Sequence, residues 1–278
     1  MAALAALTVL GPRILNATLL DAPNVAQPAV VWAVGDAADG SEEAMGVAEL
    51  IGEDSPDRFL YLGDVYEEGT ADEFEDNYDT VFGDLADVTE PTPGNHDWPN
   101  AEEGYFPYWE DVRGEELPPY YSFELAGWEI LSLNSEDDTE EGSEQLDWLE
   151  DQLDEEGTCR LAFWHSPRYS AGETNGPSRE VEPFWDALRG HAVLVANGHE
   201  HLMQRFEPIR GITELGAGAG GHGRYELDED YPRLAFGNDD VYGALRLELE
   251  PGRAQYEFIT VDGETLDSGS VDCEEIRS

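Results

Sequence analysis

The sequence predicts an α/β protein, and three observations carry that prediction. Short apolar runs alternate with segments of helical period along the chain. Four of those runs stop abruptly on polar groups: Gly35-Asp36, Gly63-Asp64, His165 and the stretch Gly198 to His201. Hydrophobic residues make up 40% of the chain and aromatics 10%, enough for a packed core despite an extreme charge.

The elements follow in order. "AVVWAVGD" (29–36) reads as a buried strand. Ser41 is a helix N-cap before "EEAMGVAELIG", whose leading acids suit the helix dipole. "RFLYLGD" (58–64) is a second strand. Thr70 and Glu73 form a capping box for a helix running to about Phe82. "YYSFELAGWEILSLNS" (120–135) is a hairpin turning at Ala126-Gly127. Leu146, Leu149 and Leu153 stripe a helix from about Ser143 to Glu155. "CRLAFWH" (159–165) is a third buried strand, and a helix over roughly 179–189 precedes a fourth, "HAVLVANGHEH". "GITELGAG", "VYGALRLELE" and "AQYEFITVDG" complete the strands. No internal repeat or linker divides the chain, so residues 1–28 read as a leader or arm and 29–278 as one domain.

Charge narrows the function classes. The 63 acids face 14 bases, all arginine, for a net charge of −49. This composition resembles that of proteins from extreme halophiles, where carboxylates hold hydrated cations and concentrated salt screens their repulsion. Such a surface opposes nucleic acid as a bound partner, since phosphate backbones call for basic faces. No apolar run is long enough to span a membrane. Cys159 and Cys273 leave two readings open, a pair of buried thiols or a disulfide, and the second suits an oxidising compartment.

In so acidic a chain the histidines carry more information than the acids. Four of six lie in compact polar motifs: His96 in "PGNHDW", His165 in "FWHSPRYS", His199 and His201 in "NGHEH". Imidazoles with carboxylate and amide oxygens make a mixed N/O metal site. An extended backbone at the end of the fourth strand would turn His199 and His201 to one side. Asn95 offers a neutral carbonyl oxygen, and Asp64 is the candidate bridge between two cations, held about 3.5–4 Å apart in two-metal hydrolysis. His191 reads as structural, His222 as a loop residue with the border of the substrate pocket as its alternative, and the glycine-rich 216–223 stretch as a close-packed loop. There is no G-x-S-x-G elbow and no HExxH pair.

"GD" at 35–36, "GD" at 63–64, "GNHD" at 94–97, "H" at 165 and "GHEH" at 198–201 resemble, in order, the five motifs of calcineurin-like metallophosphoesterases. "AFWHSPRYS", "GHEHLMQRF", "GAGAGG" and the tail "DSGSVDC" resemble the purple-acid-phosphatase-like branch, as does the hairpin sequence. The resemblance implies a sandwich of two mixed β-sheets flanked by helices. It implies a first metal held by Asp36, Asp64, His201 and a tyrosine, and a second held by Asp64, Asn95, His165 and His199. The metals would be Fe, Mn or Zn, with a hydroxide between them attacking phosphorus. His96, oriented by Asp97, would serve the phosphoryl or leaving oxygen. The family usually spaces its tyrosine three residues after the aspartate, whereas Tyr66 is two after Asp64. Asn95 and Arg168 are the candidate substrate-binding residues, Arg168 through its planar fork. The implied activity is hydrolysis of small phosphate monoesters, with phosphodiesters or nucleotides as the alternative and a non-catalytic binding module as a third reading. The branch is commonly exported, so an extracellular or cell-surface location is expected.

Overall fold

The structure, a computed structural model, describes residues 27–154 and 158–273. In chain order the elements begin with β1 (Ala29–Val34), α1 (Glu42–Asp54) and β2 (Arg58–Tyr61). A broken helix follows, α2 (Ala71–Glu73) and α3 (Asp79–Phe82) joined by a π-helical turn at Phe74–Tyr78. Next come β3 (Thr89–Pro91), α4 (Tyr105–Arg113), β4 (Tyr121–Leu125), β5 (Trp128–Ser132), α5 (Glu144–Gln152) and β6 (Cys159–Trp164). The second half holds α6 (Glu182–Leu188), β7 (Leu194–Asn197), β8 (Met203–Phe206), β9 (Thr213–Ala217), β10 (Leu234–Asn238), β11 (Gly243–Glu250), β12 (Arg253–Thr260) and β13 (Thr265–Asp272).

Two mixed sheets face one another. One has the order β13-β12-β11-β1-β2-β3, the other β10-β8-β9-β7-β6-β5-β4. Within each, a parallel centre carries the motif strands: β1, β2 and β3 in the first, β5, β6, β7 and β9 in the second. Side-chain alternation builds the layers. Val31, Ala33 and Leu60 point between the sheets to meet Leu161 and Phe163, while Trp32, Val34, Phe59 and Tyr61 face α1 and α3. The second sheet buries Ala162, Trp164 and Val195 against α5 and α6. Covered on both faces, these strands read as continuous apolar runs.

Local signals set the element ends. Ser41 Oγ accepts the Ala44 N–H at 3.1 Å, and Thr70 with Glu73 forms the reciprocal capping box. Ala126 (φ 52°) and Gly127 (φ 82°) make the tight β4–β5 turn. Two helices are shorter than expected: α5 ends at Gln152 and α6 starts at Glu182 rather than 179. The fourth strand stops at Asn197, so "GHEH" lies in the turn beyond it. The segment expected as a leader falls, for residues 1–26, outside the described residues. Among the described residues no helix is long and apolar enough to cross a membrane.

Cys159, at the start of β6, and Cys273, just past β13, are disulfide-bonded with Cα atoms 5.5 Å apart. The bond ties the interior of one sheet to the edge strand of the other. It sits at the end of β6 opposite to His165.

Candidate metal centre

The parallel strands deliver their polar ends to one place, and cross-strand hydrogen bonds hold those ends together. The Gly35 N–H donates to Ala217 O at 3.0 Å, Leu62 to Val34 O at 2.9 Å and Gly198 to His165 O at 3.1 Å. Glycine precedes the motif residues because nothing larger fits. A Cβ on Gly94 would lie 2.0 Å from Asp64 Oδ1, and one on Gly63 would lie 2.8 Å from His165 Nδ1. Asp36, Asp64 and His199 themselves adopt left-handed backbone, φ 58°, 70° and 69°. Non-glycine residues in that region cluster where a structure must aim a side chain.

These turns gather seven candidate ligands into two knots that share one oxygen. In the first, the Tyr66 hydroxyl lies 3.1 Å from Asp36 Oδ1, 3.2 Å from Asp64 Oδ2 and 3.0 Å from His201 Nε2. His201 Nε2 is itself 3.4 Å from Asp36 Oδ1. In the second, His165 Nε2 lies 3.3 Å from Asp64 Oδ2, 3.0 Å from Asn95 Oδ1 and 3.0 Å from His199 Nδ1. Asp64 Oδ2 is the atom common to both. Asp36, Asp64 and His165 each offer one ligand atom within a 4.8 Å span, and all three are buried.

The cluster sets two carboxylates, an amide oxygen, a phenol and three imidazoles against one another, which is the chemistry of a cation site. His165 Nδ1–H donates to Leu62 O at 2.8 Å, and His201 Nδ1–H donates to Gly223 O. Each Nε2 therefore faces carboxylate, amide or imidazole acceptors, and a proton or a cation must stand between them. Burial alone would push the His165 imidazole down, but the Asp64 and Asp36 carboxylates raise it well above its usual range. Burial opposes ionisation of Asp64 too, yet His165 and the His96 N–H hold it well below the usual carboxylate range. Burial and the neighbouring His165 push His199 down to about 4. The site asks for positive charge between its carboxylates, and the residues present fit metal ions.

Several sequence expectations change. His199 and His201 do reach one site, but through a left-handed turn and not an extended backbone. Tyr66 lies in the turn just after Asp64, and its hydroxyl reaches the cluster from there. Asp97 does not orient the His96 ring. It is buried and accepts the N–H groups of Asp64, Val65 and Gly94, each at 2.8 Å. Burial and the Asp64 charge raise it to about 7 against those three donors. The His96 ring is instead held at Nδ1 by the Glu67 carbonyl, while its backbone N–H donates to Asp64 Oδ1 at 2.9 Å. Arg168 is not brought into the cluster: its guanidinium pairs with Glu182 at 3.4 Å and lies over the Tyr169 ring.

Two further residues stand at the site: His222, read from the sequence as a loop residue or the border of the pocket, and Tyr225, which the sequence does not single out. His222 stacks on Tyr66 with centroids 3.8 Å apart, and Tyr225 stacks on His201 at 3.9 Å. Their only signal is a histidine and a tyrosine close behind a glycine-rich strand end. Glu200, between the two motif histidines, is buried and pushed up to about 7 by that burial.

Comparison with known proteins agrees with this geometry. Residues 29–203 match the calcineurin-like phosphoesterase family. A probable cyclic nucleotide phosphodiesterase of Synechococcus is 31% identical over 224 residues, covering 75% of this chain and 79% of that protein. Purple acid phosphatase 21 of Arabidopsis thaliana is 30% identical over 173 residues, 55% of this chain but only 39% of the plant protein. Among solved structures, a purple acid phosphatase from yellow lupin seeds superposes with a TM-score of 0.74 at 15% identity, over 91% of this chain and 55% of that one. A dimetal phosphatase from Danio rerio gives 0.62 at 14% identity, over 87% of this chain and 98% of that one. At such identities these structures speak for the fold, a two-sheet sandwich with flanking helices. The family match, which spans all five motifs and more than half of the chain, places the protein in the calcineurin-like phosphoesterase family, as a metal-dependent phosphoesterase.

Proposed function

We propose that the protein hydrolyses small phosphate monoesters at a two-metal centre. The observation that carries this is Asp64 Oδ2, which stands in both knots of ligands at once. Asp36, Asp64, Tyr66 and His201 would hold one cation and Asp64, Asn95, His165 and His199 the other. Bound cations supply charge for the phosphoryl oxygens and lower the pKa of water for in-line attack. Asp97 holds the backbone of the Asp64 turn, so the shared carboxylate keeps its aim. With Nδ1 engaged by Glu67, the half-buried His96 ring has Nε2 left for a phosphoryl or leaving oxygen. Every motif position is filled, which favours an enzyme over a binding module.

A second reading, phosphodiester hydrolysis, is favoured by the Synechococcus relative, which covers most of both chains. The Cys159–Cys273 bond supports work outside the cytoplasm, at the cell surface or beyond. Purified protein in molar KCl should carry two transition-metal ions, from among Fe, Mn and Zn, and cleave p-nitrophenyl phosphate. Asp64→Asn should lose both properties, and activity persisting in that variant would refute the assignment. The ratio of p-nitrophenyl phosphate to bis(p-nitrophenyl) phosphate turnover separates the two readings.

A further inference from the structure

The segment after β9 carries no ligand motif, yet it grips one half of the centre. His222 lies face to face on the Tyr66 ring, 14° from parallel. Its Nδ1–H donates to Asp39 Oδ2 at 3.0 Å, and its backbone N–H donates to the Asp36 carbonyl at 3.0 Å. Three residues on, Tyr225 stacks on the His201 ring, also 14° from parallel. Gly223, between them, accepts the His201 Nδ1–H hydrogen bond on its carbonyl oxygen. One short stretch thus fixes both aromatic groups that meet at Asp36 Oδ1.

The other half is supported from elsewhere. His165 is held by the Leu62 carbonyl, and Asp97 holds the backbone at Asp64 and Gly94. Neither His222 nor Tyr225 stacks on His165 or His199. Tyr66 has particular need of such backing. Its backbone is pinned by Ala38 O and Asn77 Nδ2, but those bonds leave the ring free to swing about its side-chain torsions. The parallel face of His222 stops that swing, with the His96 edge 4.8 Å away on the same ring.

We propose that residues 222–225 form a positioning clamp that sets the affinity of the Asp36–Tyr66–His201 half alone, with the flat face of His222 on Tyr66 as the chief element. The inference rests on the two-metal reading above. Outer residues that orient metal ligands typically change metal affinity by about 10–100-fold when removed.

The test is Mn²⁺ titration of the metal-stripped full chain in molar KCl, with ions per chain counted by elemental analysis. Wild type takes up two ions. His222→Ala should keep one ion at wild-type affinity and weaken the other by about 10–100-fold. His222→Phe, which restores the flat face without the Asp39 bond, should recover most of that loss. Equal affinity for both ions in wild type and His222→Ala would overturn the proposal. So would a His222→Phe variant as impaired as the alanine one, because the stack would then not be the cause. A wild-type chain that takes up fewer than two ions would sink the two-metal reading itself, and the clamp with it.

Discussion

Asp97 offers the sharpest test of how the fold sets the site. Its two carboxylate oxygens accept three buried backbone N–H groups, with Oδ2 serving Asp64 and Gly94 and Oδ1 serving Val65. Asp97→Ala strands all three donors. Each buried donor left unpaired costs about 1–3 kcal/mol, so the loss is on the order of 3–9 kcal/mol if no water enters. That is comparable to the whole stability of a typical domain, about 5–15 kcal/mol. Asp97→Asn keeps one acceptor oxygen, which can serve the Asp64 and Gly94 donors together and abandons Val65. It should cost roughly one donor, about 1–3 kcal/mol, plus the repulsion of an amide N–H facing another. Guanidinium unfolding in molar KCl, read beside metal content, should rank wild type above Asn and Asn above Ala. The Ala variant should also lose metal, because the left-handed turn that aims Asp64 loses its clasp. Asn and Ala variants of equal stability would refute this account, as would an Ala variant with wild-type stability and metal content.

Three other outcomes follow from the structure. Reducing the Cys159–Cys273 bond opens a loop with a sequence separation of 114, worth about 5 kcal/mol of denatured-state entropy. For a chain of this size that is a melting point roughly 8 °C lower with dithiothreitol, and an unchanged melt would count against the bond as a stabiliser. Glu214 is fully buried, and burial pushes its carboxyl up from 4.5 to about 8 against the Arg168 and Tyr169 N–H groups it accepts. The folded state therefore keeps a proton that the unfolded chain gives up, and stability falls as pH rises from about 4.5 to about 8. Glu214→Gln should flatten that decline in melts at pH 5 and pH 8; an identical slope in the variant would contradict it. Finally, we read the −49 net charge as a requirement for salt. Structure should be lost on dilution from molar KCl to ~50 mM, and a circular dichroism melt unmoved by dilution would refute this reading.

What the sequence made legible was whatever one strand or one cap decides alone. β1, β2, β6 and β7 are covered on both faces, so each reads as an apolar run that stops where its ligand begins. The Ser41 cap, the Thr70–Glu73 box and the Ala126-Gly127 turn are complete within a few residues. β3 is three residues long and contains a proline, while β13, "TLDSGSVD", is an exposed edge with little apolar content. Neither carries a pattern, because their partners and not their side chains make them strands. α4 hides behind Pro107 in its first turn. The misreadings at the site have one physical origin. Two of the three backbone donors that Asp97 answers to, at Asp64 and Val65, come near only once β2 and β3 lie side by side. Arg168 answers to Glu182 on α6, and His222 to Tyr66 from more than a hundred positions away. Such pairings exist only in the assembled sandwich.

The position of the disulfide has a consequence for how the molecule comes apart. Cys159 opens β6 and His165 follows its last residue, so bridge and metal cluster sit about 20 Å apart along one strand, at 3.3 Å per residue. Each fastens the same two slabs, one by a covalent link that a reductant opens and the other, on the two-metal reading, by ions that a chelator would remove. The protein resembles a book with a clasp at top and bottom. Freed at one end, its covers can fan while the other end stays shut; only when both clasps are undone are the pages free to slide.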